Sequence, residues 1–261
     1  MYLKNIFIEV FLMTLPSEAT LHKLQFYVTT PYPCGYLPNQ RAQSLIATPQ
    51  HLIDSNVYSG LIQQGFRRSG KFAYRPHCEN CNACTPVRLL VEDYTPTRSQ
   101  KRSLKQHQNL QVNILPLAFY QEHFELYNDY QTARHPEKIN GEKSNNDSED
   151  KANQYRDFLV ESNVETLLIE FRLAGALKMV SVVDVLRDGI SAVYTFYNTR
   201  DSHSSYGTFN IVCLNEWTRS LGLPYLYLGY WIKNSQKMAY KQNFKPQQAL
   251  IDGVWQSLNT A

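Results

Sequence analysis

What this sequence lacks narrows it before any motif is read. No apolar run approaches the roughly 20 residues that a membrane-crossing helix needs, so no membrane partner is expected. The opening stretch MYLKNIFIEVFLM is apolar but short, and Lys4 and Glu9 interrupt it. A signal peptide wants an unbroken apolar stretch behind positive charge. The segment reads either as an amphipathic helix or strand packed on the core, or as an extended start with the true one at Met13 rather than Met1. Net charge is nearly absent: 26 Lys and Arg against 23 Asp and Glu leave +3. A global polyanion signature is excluded and no DNA partner is expected, so any nucleic-acid contact must come from a local patch. Of the 5 cysteines, three crowd into residues 78–84, which is not the spread of a secreted disulfide framework. A cytoplasmic protein with reduced thiols is the expectation. No internal repeat is visible.

What is present is an ordinary folded composition, 43% hydrophobic and 19% charged over 261 residues, enough for one large domain or two smaller ones. Aromatics reach 13%, with 18 tyrosines, residues that offer a stacking face and a hydroxyl to a polar ligand or to plain packing. Two textures divide the chain. Residues 14–112 are rich in Pro, Gly, Arg and Cys, with strand-like runs at 24–30 and 86–94. From 113 the pattern becomes regular. Leu117, Tyr120, Phe124 and Tyr127 have helical spacing, and the helix should stop at His135-Pro136. Residues 137–153 read as a solvated loop, and Tyr155, Phe158 and Leu159 as a short second helix. Three β-rich runs, 166–173, 177–186 and 190–197, make an antiparallel meander. A helix over 207–221 ending at Gly222, a strand over 223–231 and a helix from Ser235 to Phe244 complete the order. That order predicts an α/β (α+β) fold: an acyltransferase-like, GNAT-like C-terminal domain over 113–261 and a smaller Cys- and Arg-rich domain over 1–112.

Three clusters carry candidate chemistry. In GFRRSGKFAYRPHCENCNACTPVRLL (65–90), Arg67, Arg68 and Lys71 alternate with Phe72 and Tyr74. They suit phosphates and stacked bases, or simply a solvated strand. In TPTRSQKRSLKQHQNL (95–110), Arg98, Lys101, Arg102 and Lys105 fall on one face of a helix. That face either grips a phosphate backbone with salt-dependent affinity or is only solvated. In YLYLGYWIKNSQKMAYKQNFKP (225–246) a strand runs through Gly229 into a helix, with aromatics and lysines around it. Such strand ends are favoured ligand sites, and Tyr227 and Tyr230 read equally well as core aromatics.

At these clusters the sequence resembles the aminoacyl-tRNA–protein transferases, the arginyl transferases of eukaryotes and leucyl transferases of bacteria. The likeness runs from about Phe26 to Trp255, through PCGYLPNQ (33–40), VVDVLRDGISAVYTFY (182–197) and SYGTFNIV (205–212) as well as the three clusters. CENCNAC and YLGYWIKNSQKMAYK look more like the bacterial branch. The resemblance implies leucine transfer from leucyl-tRNA to the α-amine of proteins that begin with Asp or Glu, marking them for proteolysis. It implies no cofactor for the reaction itself. Two places depart from the family's pattern: Asn198-Thr199 stands where Asp-Pro is frequent, and Glu137-Lys138-Ile139 where the bacterial branch tends to carry glycines.

The reaction is aminolysis of an ester, and it assigns tasks to these residues. Asp184 orients the amine or takes its proton, unless it is a plain strand-end carboxylate. Tyr194 and Tyr230 donate to the oxyanion or the ribose. Arg134, Lys237 and Lys241 read the acidic N-terminus. Met238 and Trp231 line a leucyl pocket or pack the core. Arg67, Arg68, Lys71, Arg98, Lys101, Arg102 and Lys105 hold the tRNA acceptor stem by its phosphates. Cys78, Cys81 and Cys84 have soft-metal spacing, with Cys34 the natural fourth ligand for zinc or an iron–sulfur centre. In eukaryotic relatives a second Cys stands at Leu37 and adjacent cysteines at Ala83-Cys84, so only Cys34 and Cys84 are matched. The cluster is a relocated four-thiolate site or an abandoned one that leaves redox-sensitive thiols. Two other readings stay open. One is an acetyl-CoA-dependent N-acetyltransferase, although RDSHSSYGTFN (200–210) offers a single glycine for a pyrophosphate turn. The other is a non-enzymatic, zinc-stapled RNA-binding module.

Overall fold

Short strands at Gln25–Val28 (β1), Tyr32–Pro33 (β2), Arg41–Ala42 (β3), Ser44–Thr48 (β4), Arg67–Ser69 (β5) and Phe72–Pro76 (β6) build the first part of the chain. Four of them form a sheet in the order β1-β4-β6-β5, while β2 and β3 pair separately. A helix at Ser55–Gln63 (α1) packs on that sheet, its start capped by Asp54, which accepts from the Val57 N–H at 2.8 Å. Ala47, Ile53, Val57, Tyr58, Leu61 and Phe66 are buried together between helix and sheet. The computed structural model describes residues 23–134, 147–201 and 204–258. The expected N-terminal helix or strand, the choice between Met1 and Met13, and the stop at His135-Pro136 fall outside the described residues.

The rest of the chain supplies Thr85–Leu90 (β7), Arg98–Gln106 (α2), Gln111–Pro116 (β8), Gln121–Arg134 (α3) and Asp147–Tyr155 (α4), the last running into a π turn at Arg156–Val160. Then come Thr166–Leu173 (β9), Ala176–Leu186 (β10), Gly189–Tyr197 (β11), Tyr206–Ser220 (α5), Tyr225–Trp231 (β12), Gln247–Ile251 (β13) and Val254–Ser257 (β14). Eight strands join in the order β14-β13-β7-β12-β11-β10-β9-β8. The expected meander is there as β9, β10 and β11. Ala174 and Gly175 turn its first corner with positive φ of 49° and 83°, as a tight hairpin requires. β7 lies between β12 and β13, antiparallel to both, so residues from before and after position 112 share one sheet.

Alternation along β10 sets the layers. Met179 and Val183 point to a core shared with Phe209, Val212 and Trp217 of α5. Val180 and Val182 point the other way, to Phe124 of α3, Tyr155 of α4 and Leu159. Leu186, further along that face, joins the α1 core.

Three elements differ from expectation. α4 begins inside the stretch read as loop, where Glu149 and Asp150 put acidic residues in the first turn, which the helix dipole favours. The helix expected from Ser235 to Phe244 is only a 3-10 turn at Ala239–Asn243, and the Ser235 carbonyl rather than its side chain accepts from Met238 and Ala239. Lys241 and Phe244 are both buried, and three-residue spacing places them on one side of a 3-10 turn. The closing hairpin β13–β14 was not expected, although Asp252-Gly253 at its tip, with φ of 49° and 78°, is a strong turn signal.

Candidate active site

Among the described strands β11 and β12 are the one parallel pair, and they stay paired over only three rungs, Gly189 with Tyr225, Ile190 with Leu226 and Ser191 with Tyr227. Beyond Ser191 they part. A register shift against β10 at Val182/Val183 bends β11, and one against β7 between Tyr227 and Gly229 bends β12. Parting leaves backbone carbonyls to satisfy, and Arg67 does so from β5. Its Nη1 donates to Ser191 Oγ at 2.9 Å and its Nη2 to the Ala192 carbonyl at 2.6 Å. Gly229 sits against it with φ of 76°, and a Cβ there would lie 3.1 Å from Arg67 Nε, so conformation and space both ask for glycine. On the β12 side Lys241 is buried, donating to the Tyr230 carbonyl at 2.7 Å and toward Met238 Sδ at 3.4 Å. Burial first, and the neighbouring Arg67 second, pull its ammonium down to about 7.

An aromatic wall stands where the fork opens. Tyr194 accepts from Gln131 Nε2 at 3.0 Å, which leaves its own proton to give, and burial pushes its phenol up to about 12. Arg134 donates to Tyr197 OH at 2.8 Å with its guanidinium 5.7 Å from that ring's centre. Tyr130 meets Tyr197 edge-on at 5.0 Å, and Tyr240 is within electrostatic reach of both. Tyr240 is also 40% exposed and lines a neighbouring cleft of about 530 Å³ with Thr97, Ser99, Gln100, Thr208, Asn243 and Lys245. That cleft lies at the start of α2. There Thr97 and Gln100 form a reciprocal capping box, and Arg98, Lys101, Arg102 and Lys105 project from the exposed face.

Several expectations need correcting. Asp184 is fully buried, and its carboxylate is taken by Arg68 Nη2 at 2.6 Å, Arg68 Nε at 2.8 Å and Thr166 Oγ1 at 2.8 Å. It has no face for an amine, and Arg68 has none for a phosphate. Tyr230 spends its hydroxyl on the Gly65 carbonyl at 2.9 Å, so it does not offer that proton to an oxyanion. Lys71 pairs with Glu161 at 2.7 Å on the surface. Arg67 is in the fork rather than on a phosphate-facing surface. Trp231 packs against the α5 core, half-buried, and Met238 touches Lys241. Lys237 is exposed. The sequence reading missed the grouping of Tyr130, Gln131, Tyr197 and Tyr240. The tyrosine excess hinted at it, but the residues come from three separate elements.

Cys34, Cys78 and Cys81 are within electrostatic reach of Cys84, whose thiol is pushed up to about 12 by burial and then by those neighbours. Cys34 Sγ accepts from the Tyr36 N–H at 3.5 Å and Cys78 Sγ approaches the Gln43 carbonyl at 3.7 Å. Among the described residues no three His, Cys, Asp or Glu side chains converge as ligands of one metal ion. No step below is routed through a metal at these thiols.

A mixed sheet with a central meander, one parallel pair that parts at mid-sheet and a helix crossing between its two strands defines an acyltransferase-like, GNAT-like fold. Residues 32–102 match the family model "Arginine-tRNA-protein transferase, N terminus" and residues 122–251 match "Arginine-tRNA-protein transferase, C terminus". The chain belongs to this aminoacyl-tRNA–protein transferase family. It is 65% identical, over 95% of its length and 97% of the relative's, to a protein of Methylobacillus flagellatus named aspartate/glutamate leucyltransferase. A Nitrosospira multiformis protein of the same name is 52% identical over 94% of this chain and 95% of its own. Among solved structures, the C-terminal domain of a putative lysylphosphatidylglycerol synthetase from Agrobacterium fabrum aligns with 10% identity and a TM-score of 0.43, over 58% of this chain and 48% of that one. No described helix is long and apolar enough to cross a membrane.

Proposed function

We propose that this chain transfers leucine from leucyl-tRNA to the α-amine of proteins that begin with Asp or Glu. The observation that carries this reading is the 65% identity, nearly end to end, to a relative bearing the name of that activity. The product would present an N-terminal leucine for proteolysis in the cytoplasm.

The chemistry asks for little beyond placement. A free α-amine titrates near about 7.7–8.0, so a useful fraction is already neutral at physiological pH. It attacks the ester carbonyl, the ribose oxygen leaves, and the amine's proton departs after attack. In this reading the exposed basic face of α2 holds the acceptor stem through its phosphates. The terminal nucleoside enters the cleft beside α2, where Tyr240 offers a stacking face. The ester then reaches the aromatic wall, where Tyr194, already accepting from Gln131, donates to the developing oxyanion or to the ribose.

The test is transfer itself. Purified protein is incubated with radiolabelled leucyl-tRNA and peptides beginning Asp, Glu or Ala. Leucine is expected on the first two and not on the third. No label on the acidic peptides would overturn the reading, and acetylation from acetyl-CoA in a parallel reaction would replace it.

A further inference from the structure

We infer that Arg67 and Lys241 together form the carboxylate-reading pair that selects an acidic N-terminal residue. The inference rests on the leucyl-transfer reading and adds which residues set its acceptor specificity.

The first ground is charge. Arg68, next along β5, is neutralised by Asp184 at 2.6 Å. Among the described residues Arg67 and Lys241 have no such partner. Every acceptor that either one touches is neutral: a serine hydroxyl, the Ala192, Val193 and Tyr230 carbonyls, and a thioether sulfur. Among the described residues no carboxylate pairs with either. Burial and the Arg67 guanidinium within electrostatic reach both disfavour the charged form of Lys241, and an anion brought between the two would favour it. A protein that must refuse neutral N-termini gains from such an arrangement, because only an acidic side chain relieves it.

The second ground is the count of donors. A guanidinium carries five N–H groups and an ammonium three. Arg67 bonds through Nη1 and Nη2, leaving Nε–H and one Nη1–H without an acceptor among the described residues. Lys241 has two acceptors among the described residues, leaving one N–H of its ammonium form. A carboxylate has lone pairs for all three. The third ground is place. Arg67 bonds the Ala192 and Val193 carbonyls, which precede Tyr194 on β11, and Lys241 bonds the Tyr230 carbonyl of β12 and follows Tyr240 in the chain. Arg67 is only half-buried, so it can be reached. Gly229, without a Cβ, lets the Arg67 guanidinium pack closely against β12 there.

The test compares kcat/KM for matched peptides beginning Asp and Asn, with the same leucyl-tRNA, in wild type, Arg67→Gln, Arg67→Lys and Lys241→Met. Charge-assisted hydrogen bonds of this kind should give the Asp peptide an advantage of about ten- to a hundredfold. Arg67→Gln and Lys241→Met should each cut that advantage at least tenfold, mainly through KM of the acidic peptide. Arg67→Lys, which keeps the charge and loses the fork geometry, should keep part of it. A merely structural role would lower both peptides alike. Equal losses, or an unchanged Asp-over-Asn ratio in variants that fold, would overturn the inference. Should Lys241→Met fail to fold, the two Arg67 variants decide. A wild type that transfers no leucine to the Asp peptide would instead overturn the leucyl-transfer reading.

Discussion

Burial decides what a charged residue is for, and Arg68 with Asp184 is the example. Each lies in a motif that suggested chemistry, yet they are 116 residues apart in sequence and meet inside the protein with Thr166 as a third partner. Removing one member of a buried pair strands the other, at a cost of about 3–5 kcal/mol. Asp184→Asn should therefore lower the urea unfolding free energy by about that much, while kcat measured well below the unfolding transition stays near wild type. A large loss of kcat with little loss of stability would return Asp184 to the chemistry. The sequence marked the right motif here but not the role, because a strand carboxylate looks the same whether it meets solvent or a buried guanidinium.

At the scale of elements, α2 was legible as one basic face within 95–110, without its bounds. Its four basic side chains have the spacing of one helix face, and Gln100 and Ser103 opposite them are buried, which holds that face outward. Reversing charge at Arg98 and Lys101 should raise KM for tRNA, and the slope of log KM against log salt should become shallower, since fewer counterions are released. A rise in KM that ignores salt would point to a damaged helix instead. The packing of α3 on β9 carries a pH dependence that no periodicity announces. His123 is fully buried, its Nε2 paired with Glu170 Oε1 at 2.7 Å and its Nδ1 without a partner among the described residues. Burial holds its pKa below the usual 6.5, against the pull of Glu170. The folded state therefore resists a proton that the unfolded chain accepts. This contribution to stability is present above about 6.5 and is lost as pH falls below it. Glu170, held down to about 2 chiefly by Arg172, keeps its own contribution until much lower pH. The denaturation midpoint should fall between pH 7 and pH 5, and His123→Gln, which keeps a donor for Glu170 and does not titrate, should flatten that fall. An unchanged slope in the variant would assign the acid sensitivity elsewhere.

The whole molecule is joined more tightly than its two textures suggest. β7 comes from the Cys- and Arg-rich half and supplies hydrogen bonds to β12 and β13 from the other. Arg67 and Arg68, both on β5, fasten the small sheet to β10 and β11. Trp255, near the C-terminal end of the described residues, reaches back to the Gln63 carbonyl at 2.9 Å and stacks on Arg88. Residues 113–261 expressed alone should fail to fold, because β12 and β13 lose the strand between them. Urea unfolding of the full chain should be one transition by both fluorescence and circular dichroism. A folded fragment with dispersed amide resonances would show two independent units.

The sequence by itself determined the local pattern: the β9–β11 meander, the long helices α3 and α5, the exposed basic face of α2 and the family to which these motifs point. Those are set by spacing and by short-range backbone preference, which neighbours in the chain encode. Only the tertiary structure decided which of the marked residues share a site. The partnering of Arg68 with Asp184, the placing of Lys241 within electrostatic reach of Arg67 and the tyrosine wall all join elements distant in sequence. Whether a charge is solvated, neutralised or left for a substrate depends on what the rest of the chain packs beside it, and that is fixed only when the sheet closes.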